Sequence, residues 1–276
     1  MTYHPGEREI QGRAGVRAAA DKVGRIVHDE IPEAAADFLE RQRMLLSSHR
    51  DVAGRVRASL VWGRPGFARA VDAHTLDVDG TAPPAGAAGV LAIDFPRRFR
   101  MRLNGSLEAR PGGFRIRADQ VYANCPKYIQ ARSIVEELPP GTLRTRSATL
   151  SGSQQDLLRR ADTFFIATAP KGQGADASHR GGNPGFVRVI DGGRIEWDDY
   201  VGNAMFNTLG NVQLDPEAAL LFVDFESRTL LHLNGRARVE GDRRRRVTFE
   251  VDAVEETADG SPYRWSAPDY SPFNPR

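Results

Sequence analysis

Asp176-Ala177-Ser178-His179-Arg180-Gly181-Gly182-Asn183-Pro184-Gly185-Phe186-Val187-Arg188 decides the fold, because the chain carries a second version of it. Arg57-Ala58-Ser59-Leu60-Val61-Trp62-Gly63-Arg64-Pro65-Gly66-Phe67-Ala68-Arg69 aligns with it without a gap. Ala-Ser recurs, followed by Gly-x-Pro-Gly-Phe-x-Arg. Asp72 then matches Asp191, and Leu76 matches Ile195. Further on, Asp94-Phe95 matches Asp224-Phe225, and Leu103-Asn104-Gly105 matches Leu233-Asn234-Gly235. Gly, Pro, Asn and Asp carry tight turns, so agreement at these residues reports a shared backbone path. The spacing predicts a tandem duplication.

Outward from the repeat, each half reads as a helix leading into a series of short strands. Val16, Ala19, Ala20, Val23 and Val27 fall at helical spacing after a polar lead-in. Pro32 suits the start of a further helix. Leu45-Leu46 reads as a short strand that stops at Ser47-Ser48-His49-Arg50-Asp51. Val90 to Phe95 suits a central strand. Arg98, Arg100 and Arg102 alternate with Phe99, Met101 and Leu103, the pattern of a strand with one wet face. In the second half Ser153 and Asp156 suggest a capping box before Leu157-Leu158. Strands follow at Phe164 to Ala169, Phe186 to Ile190, Ala219 to Phe225, Leu230 to Asn234 and Val247 to Val251. The Pro-rich tail from Ser261 to Arg276 reads as an extended strap or as disordered chain.

The expected fold is therefore mainly β with flanking helices. Two related barrels follow one another in one chain, residues 1–138 and 139–276, each closing its own sheet edges. The second copy has extra residues, Gly202 to Asn211, where the first has Thr81-Ala82-Pro83-Pro84. An insertion in one copy points to a difference in job.

Composition narrows the functions. Of 276 residues, 38 are Lys or Arg and 36 are Asp or Glu, a net charge of +2. That balance argues against a chain built to coat nucleic acid or an anionic membrane. Arg243 to Arg246 reads as a solvated hairpin tip. One Cys excludes an internal disulfide and a thiolate cage, and no His pair has metal-ligand spacing. Cys125 reads as a small buried residue near a turn. No segment has the length and apolarity of a membrane span, and Met1 to Arg17 is unlike a signal peptide. A cytoplasmic protein is the expectation.

One polar constellation stands out. Ser178, His179 and Arg180 fall together before Gly181-Gly182. Asn207, Thr208 and Asn211 fall together on what reads as a small-residue turn. Charged, neutral and backbone donors in combination suit a phosphate. The first copy has Leu60 and Val61 in place of His179 and Arg180, so one working site is expected. No catalytic acid or base is evident.

Asp176 to Val189 and Asp199 to Asn211 resemble the pyridoxamine 5′-phosphate oxidase-like family of flavin-nucleotide-binding proteins. So do Tyr3-His4-Pro5-Gly6-Glu7 and Asn124-Cys125-Pro126-Lys127-Tyr128-Ile129-Gln130. The resemblance implies a split β-barrel that binds FMN in the groove between two barrels, here both on one chain as a pseudo-dimer. It implies an FMN phosphate near Ser178 and Arg180 and near Asn207, Thr208 and Asn211; Arg188 is the further candidate for phosphate charge, and His179 either faces the flavin ring or lines the loop. The chain departs from the family where Asn207-Thr208 replaces an Arg-Lys pair. It also ends Ser271-Pro272-Phe273-Asn274-Pro275-Arg276 rather than in an Arg-Leu-x-Pro type motif. A flavin-dependent oxidoreductase other than a true pyridoxamine 5′-phosphate oxidase is the first expectation, with NAD(P)H or a reductase as electron donor. The alternatives are a non-catalytic flavin storage protein and a binder of deazaflavin or haem. The assembly is expected to be a monomer or a homodimer.

Overall fold

The Gly-x-Pro-Gly-Phe motif is a tight turn in both places where it occurs, and its second Gly makes it possible. Gly66 has φ 95° and Gly185 φ 90°, values that L side chains rarely adopt. Each turn is tied back to the chain just before its barrel. Gly66 N–H donates to Glu40 O at 2.6 Å and Gly63 N–H to Arg43 O at 3.0 Å. In the second copy Gly185 N–H donates to Arg159 O at 2.8 Å and Gly182 N–H to Asp162 O at 3.0 Å. The motif therefore locks helix, turn and strand together.

The computed structural model describes residues 3–275. Three helices come first: α1 (Pro5–Arg13), α2 (Arg17–Gly24) and α3 (Glu33–Glu40). Seven strands follow: β1 (Met44–Arg50), β2 (Val56–Trp62), β3 (Ala68–Asp72), β4 (Thr75–Asp79), β5 (Gly86–Asp94), β6 (Phe99–Arg110) and β7 (Gly113–Ala123). The connector carries β8 (Ile134–Glu137) and β9 (Arg144–Ser147). The second half has α4 (Gly152–Arg160), β10 (Thr163–Thr168), β11 (Asp176–Gly181), β12 (Val187–Asp191) and β13 (Arg194–Asp199). Then come α5 (Asn207–Leu214), β14 (Glu217–Val223), β15 (Leu230–Glu240), β16 (Arg245–Thr257) and β17 (Tyr263–Trp265).

The first sheet runs β2-β1-β5-β6-β7-β4-β3 and the second β11-β10-β14-β15-β16-β13-β12. With β10 in the place of β1, the two orders are identical. The duplication reaches the irregularities as well. The β6–β7 ladder shifts register at Asn104/Gly105 and the β15–β16 ladder at Asn234/Gly235. These are the Leu-Asn-Gly repeats, and a Cβ on either Gly would press into a facing carbonyl, Arg117 O or Glu250 O. The fold is mainly β, two related split barrels in tandem.

Three large apolar clusters lie in and between the barrels, and a fourth, small one joins Tyr3 and Ala20 to Tyr122 and Met205. One fills the first barrel around Leu76, Val90 and Phe114, and one fills the second around Phe164, Trp197 and Phe249. The third lies between them, where Leu46, Leu91 and Phe95 meet Phe165, Ala177 and Leu221. The barrels thus bury a common face.

Several expectations change. The capping box is Ser151 with Gln154: Ser151 Oγ accepts from Gln154 N–H at 3.3 Å, and Gln154 Oε1 accepts from Ser151 N–H at 3.0 Å. β1 continues through Ser47-Ser48-His49, because each polar side chain finds a partner: Ser47 Oγ lies 3.4 Å from His49 Nδ1 inside the first barrel, and Ser48 faces the other barrel. Ser48 Oγ donates to Thr168 O at 3.1 Å. The polar lead-in is α1, capped by His4 and Glu7. The insertion is a loop, Gly202 to Phe206, that leads into the first turn of α5 at Asn207 rather than a turn alone. The tail is an ordered strap from Ser261 to Pro275, with Arg276 outside the described residues: Ala131 pairs with Asp269, and Ser271 N–H donates to Gln130 Oε1 at 2.8 Å.

Candidate functional site

A cavity between the barrels is built from both repeats. Its walls include Arg100, Arg102, Cys125 and Tyr128 from the first half, and His179, Arg180, Tyr200, Asn207 and Thr208 from the second. The cavity measures about 100 Å³ and is partly open to solvent. At its head stands the N-terminus of α5. Phe206, the N-cap, has φ 61°, and no side chain caps the helix. The first N–H groups of α5 lack intrahelical acceptors and carry the positive end of the helix dipole.

Arg102 is the hub. It is 7% exposed. One nitrogen donates to Ser178 Oγ. The other donates to Tyr122 Oη at 3.2 Å, Asn207 Oδ1 at 3.2 Å and Asp176 Oδ1 at 3.3 Å. Ser178 Oγ and Thr208 Oγ1 are 2.7 Å apart, so α5 is stitched to β11 beside the guanidinium.

Arg100 sits nearby with no carboxylate among its hydrogen-bond partners. Its donors go to Cys125 O at 3.0 Å, His179 Nδ1 at 2.8 Å and His179 O at 3.2 Å. Burial, then Arg102 and Arg180, pull its pKa down to about 9. Arg has only donors, so His179 Nδ1 must be the acceptor and Nε2 carries the proton. Burial first, then Arg100, Arg180 and Arg132, hold this imidazole well below its ordinary pKa, so it is neutral.

Arg180 reaches Asp199 only at 4.0 Å. That carboxylate is claimed more closely by Arg245, at 3.0 Å. Asp198 is likewise engaged on the outside by Arg188, at 2.9 Å. Arg100, Arg102 and Arg180 therefore bring more positive charge into the cavity than its carboxylates answer. Nε of both Arg102 and Arg180 is buried without a partner. Charge-assisted donors, paired hydroxyls and an open helix N-terminus fit a phosphate.

Five of the seven residues expected from sequence gather here: Ser178, His179, Arg180, Asn207 and Thr208. Arg188 does not, because it lies on the β12–β13 hairpin and its guanidinium pairs outward with Asp198. Asn211 stands one turn behind Asn207. Its amide nitrogen donates to Thr168 Oγ1 and Asp176 Oδ2, both at 2.9 Å, so it braces α5 from behind the cavity wall. Cys125 is half-buried in the wall rather than in a core. Arg245 turns inward to Asp199, unlike its exposed neighbours Arg243 and Arg244. Sequence reasoning missed Arg100 and Arg102. Their alternation marked one polar face of β6, but that face meets the other barrel instead of water.

The equivalent position in the first repeat is filled. Leu60, Val61 and Trp62 stand where the second has His179, Arg180 and Gly181. The Trp62 and Tyr263 rings meet edge to face at 5.7 Å, and Tyr263 Oη donates to Gly63 O at 3.2 Å. The β8–β17 ribbon covers this locus, and no helix corresponds to α5.

Residues 150–268 match the sequence model of the pyridoxamine 5′-phosphate oxidase family. The chain resembles that family. No curated protein matches the chain. Among solved structures, it is similar to a pyridoxamine 5′-phosphate oxidase-like protein from Lactobacillus delbrueckii, at 15% identity, 41% of this chain, 98% of that one and TM-score 0.34. It is also similar to a FAD-binding protein from Mesorhizobium loti, at 10% identity, 42% of this chain, 99% of that one and TM-score 0.32. Among the described residues, no helix is long and apolar enough to cross a membrane.

Proposed function

We propose that the chain binds one flavin nucleotide, FMN, in the cavity between its repeats, and that it is a flavin-dependent oxidoreductase. The observation that carries this reading is the excess of positive charge at the head of α5. Arg100, Arg102 and Arg180 converge there, while Asp198 and Asp199 are engaged by other arginines. A phosphate accepting from Arg102 and Arg180 would satisfy their partnerless Nε groups or displace weaker contacts, and would answer the charge. Ser178 and Thr208 supply neutral donors, and the α5 backbone adds N–H groups. The cavity of about 100 Å³ suits the phosphate, and on this reading the rest of the molecule would leave through its open side.

Flavin, when bound, supplies the electron-transfer chemistry. The protein's part is to bind and orient it. His179 is held neutral with Nε2 protonated, and Arg100 fixes that tautomer. The commitment of Nδ1 to Arg100 and the burial of the ring beside Phe95 and Phe165 count against His179 as a haem ligand. On this reading residues 139–276 are the cofactor-binding copy, and residues 1–138 contribute Arg100 and Arg102 to it.

The absorption spectrum of the purified protein, before and after FMN addition, tests the reading. Bands near about 370 and 450 nm that survive gel filtration are expected. A protein that stays colourless after incubation with FMN overturns it. Anaerobic mixing of the yellow protein with NADH or NADPH then separates enzyme from storage protein, because only an enzyme bleaches on the timescale of turnover.

A further inference from the structure

We propose that Glu7, on the helix that the N-terminal segment lays against α5, is the positioning residue that tunes the affinity of Arg102 for an anionic ligand. The inference rests on the anion-site reading above and adds a residue outside the cavity wall that reaches the site through Asn207.

The geometry begins with two close approaches. A Cβ on Gly6 would lie 2.2 Å from Gly210 O, and one on Gly210 would lie 2.6 Å from Glu7 N. Bare backbone on both helices lets α1 touch the first turns of α5. Two residues of α1's start then hold two residues of α5, each pair about one turn apart. His4 Nδ1 accepts from Glu7 N–H, so its Nε2 carries the proton and donates to Asn211 Oδ1 at 2.8 Å. Glu7 Oε1 accepts from Asn207 Nδ2 at 2.6 Å, and Glu7 Oε2 accepts from His4 N–H at 2.9 Å. That fixes the Asn207 amide: its nitrogen faces Glu7, so its oxygen faces Arg102 at 3.2 Å. The chain Glu7–Asn207–Arg102 is continuous and buried, and Glu7 itself is 2% exposed. This accounts for His4-Pro5-Gly6-Glu7, a motif that the cavity alone leaves without a role.

Charge gives the direction. The groups around Glu7 are His4 and Arg8 on its own helix, nearby Tyr3, Asp176 on β11, Arg102 on β6 and Tyr122 on β7. Burial, most of all, raises the Glu7 carboxyl; the His4 amide lowers it, Asp176 raises it, and the outcome is a pKa of about 7. Burial lowers the His4 imidazole below its ordinary pKa, against the Asn211 hydrogen bond and Asp176, which raise it. Tyr122 is pushed up by burial and does not ionise in this range. With Glu7 ionised, Arg102 is answered by two carboxylates. With Glu7 protonated it is answered by Asp176 alone, and an incoming anion meets less competition.

The test follows Arg102 directly. The Arg102 Nε–H resonance of the protein without FMN is recorded between about pH 5.5 and 8.5, for wild type and Glu7→Gln. Wild type is expected to shift with a midpoint near 7, and Glu7→Gln to show no such step. The FMN phosphate itself gains charge with a pKa of about 6, so FMN affinity, measured by fluorescence quenching, is compared between the two proteins at each pH: they are expected to agree at the low end, and wild type to bind roughly threefold or more weaker than Glu7→Gln above the midpoint. An Arg102 signal that does not move, or the same step in Glu7→Gln, overturns the proposal. Should Glu7→Gln fail to fold, the wild-type Arg102 titration decides alone. A step that is present while FMN fails to bind upholds the positioning role and removes the flavin. FMN binding with identical pH profiles in both proteins does the reverse.

Discussion

Arg180 and Arg102 both line the cavity, but they differ in what they hold when no anion is present. Arg180 is a 4.0 Å neighbour of Asp199, which keeps Arg245 at 3.0 Å when Arg180 is gone. Arg180→Ala should therefore weaken FMN binding by about 1.5–3 kcal/mol with little change in melting temperature. Unchanged affinity by calorimetry would remove Arg180 from the site. Arg102→Met is a different experiment. It leaves Asp176 buried without its guanidinium and strips Ser178 and Asn207 of a partner. A stability loss on the order of 3–5 kcal/mol in urea should accompany the loss of binding. Glu7 gives a signature of the opposite sign to a salt-bridged carboxylate. Its pKa is about 7 in the fold and near the ordinary 4.5 when unfolded. The folded state binds the extra proton between those values, so stability is greatest at the low end and falls as pH rises to about 7. The difference is on the order of 2–4 kcal/mol. Urea midpoints at pH 5 and pH 8 should separate more for wild type than for Glu7→Gln; equal separation would mean that Glu7 titrates normally.

At the scale of elements, the critical contact is α1 on α5. Gly210→Ala places a methyl group 2.6 Å from the Glu7 backbone, which cannot swing aside as a side chain could. It should cost about 2 kcal/mol or more and loosen the α5 N-terminus, so FMN affinity should fall with the urea midpoint. A stable Gly210→Ala protein with full affinity would show that α1 does not support the site. This contact also shows what the sequence made legible and what it did not. Gly63, Gly66, Gly105 and their partners Gly182, Gly185 and Gly235 were legible because a turn or bulge constrains the backbone alike in both copies, whatever the barrels do. His179, Arg180, Asn207 and Thr208 were legible because they break that repeat, and Ser178 because it stands beside them. Arg100 and Arg102 were not, since alternation reports that β6 has a polar face but not what covers it. Arg188 was drawn in by its nearness to the motif, although strand alternation and its hairpin partner Asp198 turn it away. The helix α1 escaped notice because its cap is a His, outside the usual Ser, Thr, Asp and Asn.

At the scale of the molecule, the two repeats pack as a pseudo-dimer within the chain, and its two sides have diverged. The Asn of each bulge reaches across to the other barrel. Asn104 Nδ2 donates to Asp176 Oδ1 at 2.9 Å, and Asn234 Oδ1 accepts from Arg57 at 3.0 Å. The charge at the equivalent position is reversed, Asp176 against Arg57, so the two halves of the interface are no longer interchangeable. On one side Arg100 and Arg102 meet an open helix N-terminus. On the other Trp62, Tyr263 and the β8–β17 ribbon occupy the space. A symmetric dimer of such barrels would offer two equivalent sites, whereas this pseudo-dimer should offer one. Isothermal titration of the purified chain with FMN measures this directly. The account expects saturation at one FMN per chain, with the site lost in Arg102→Met; two FMN per chain, or none, would contradict it.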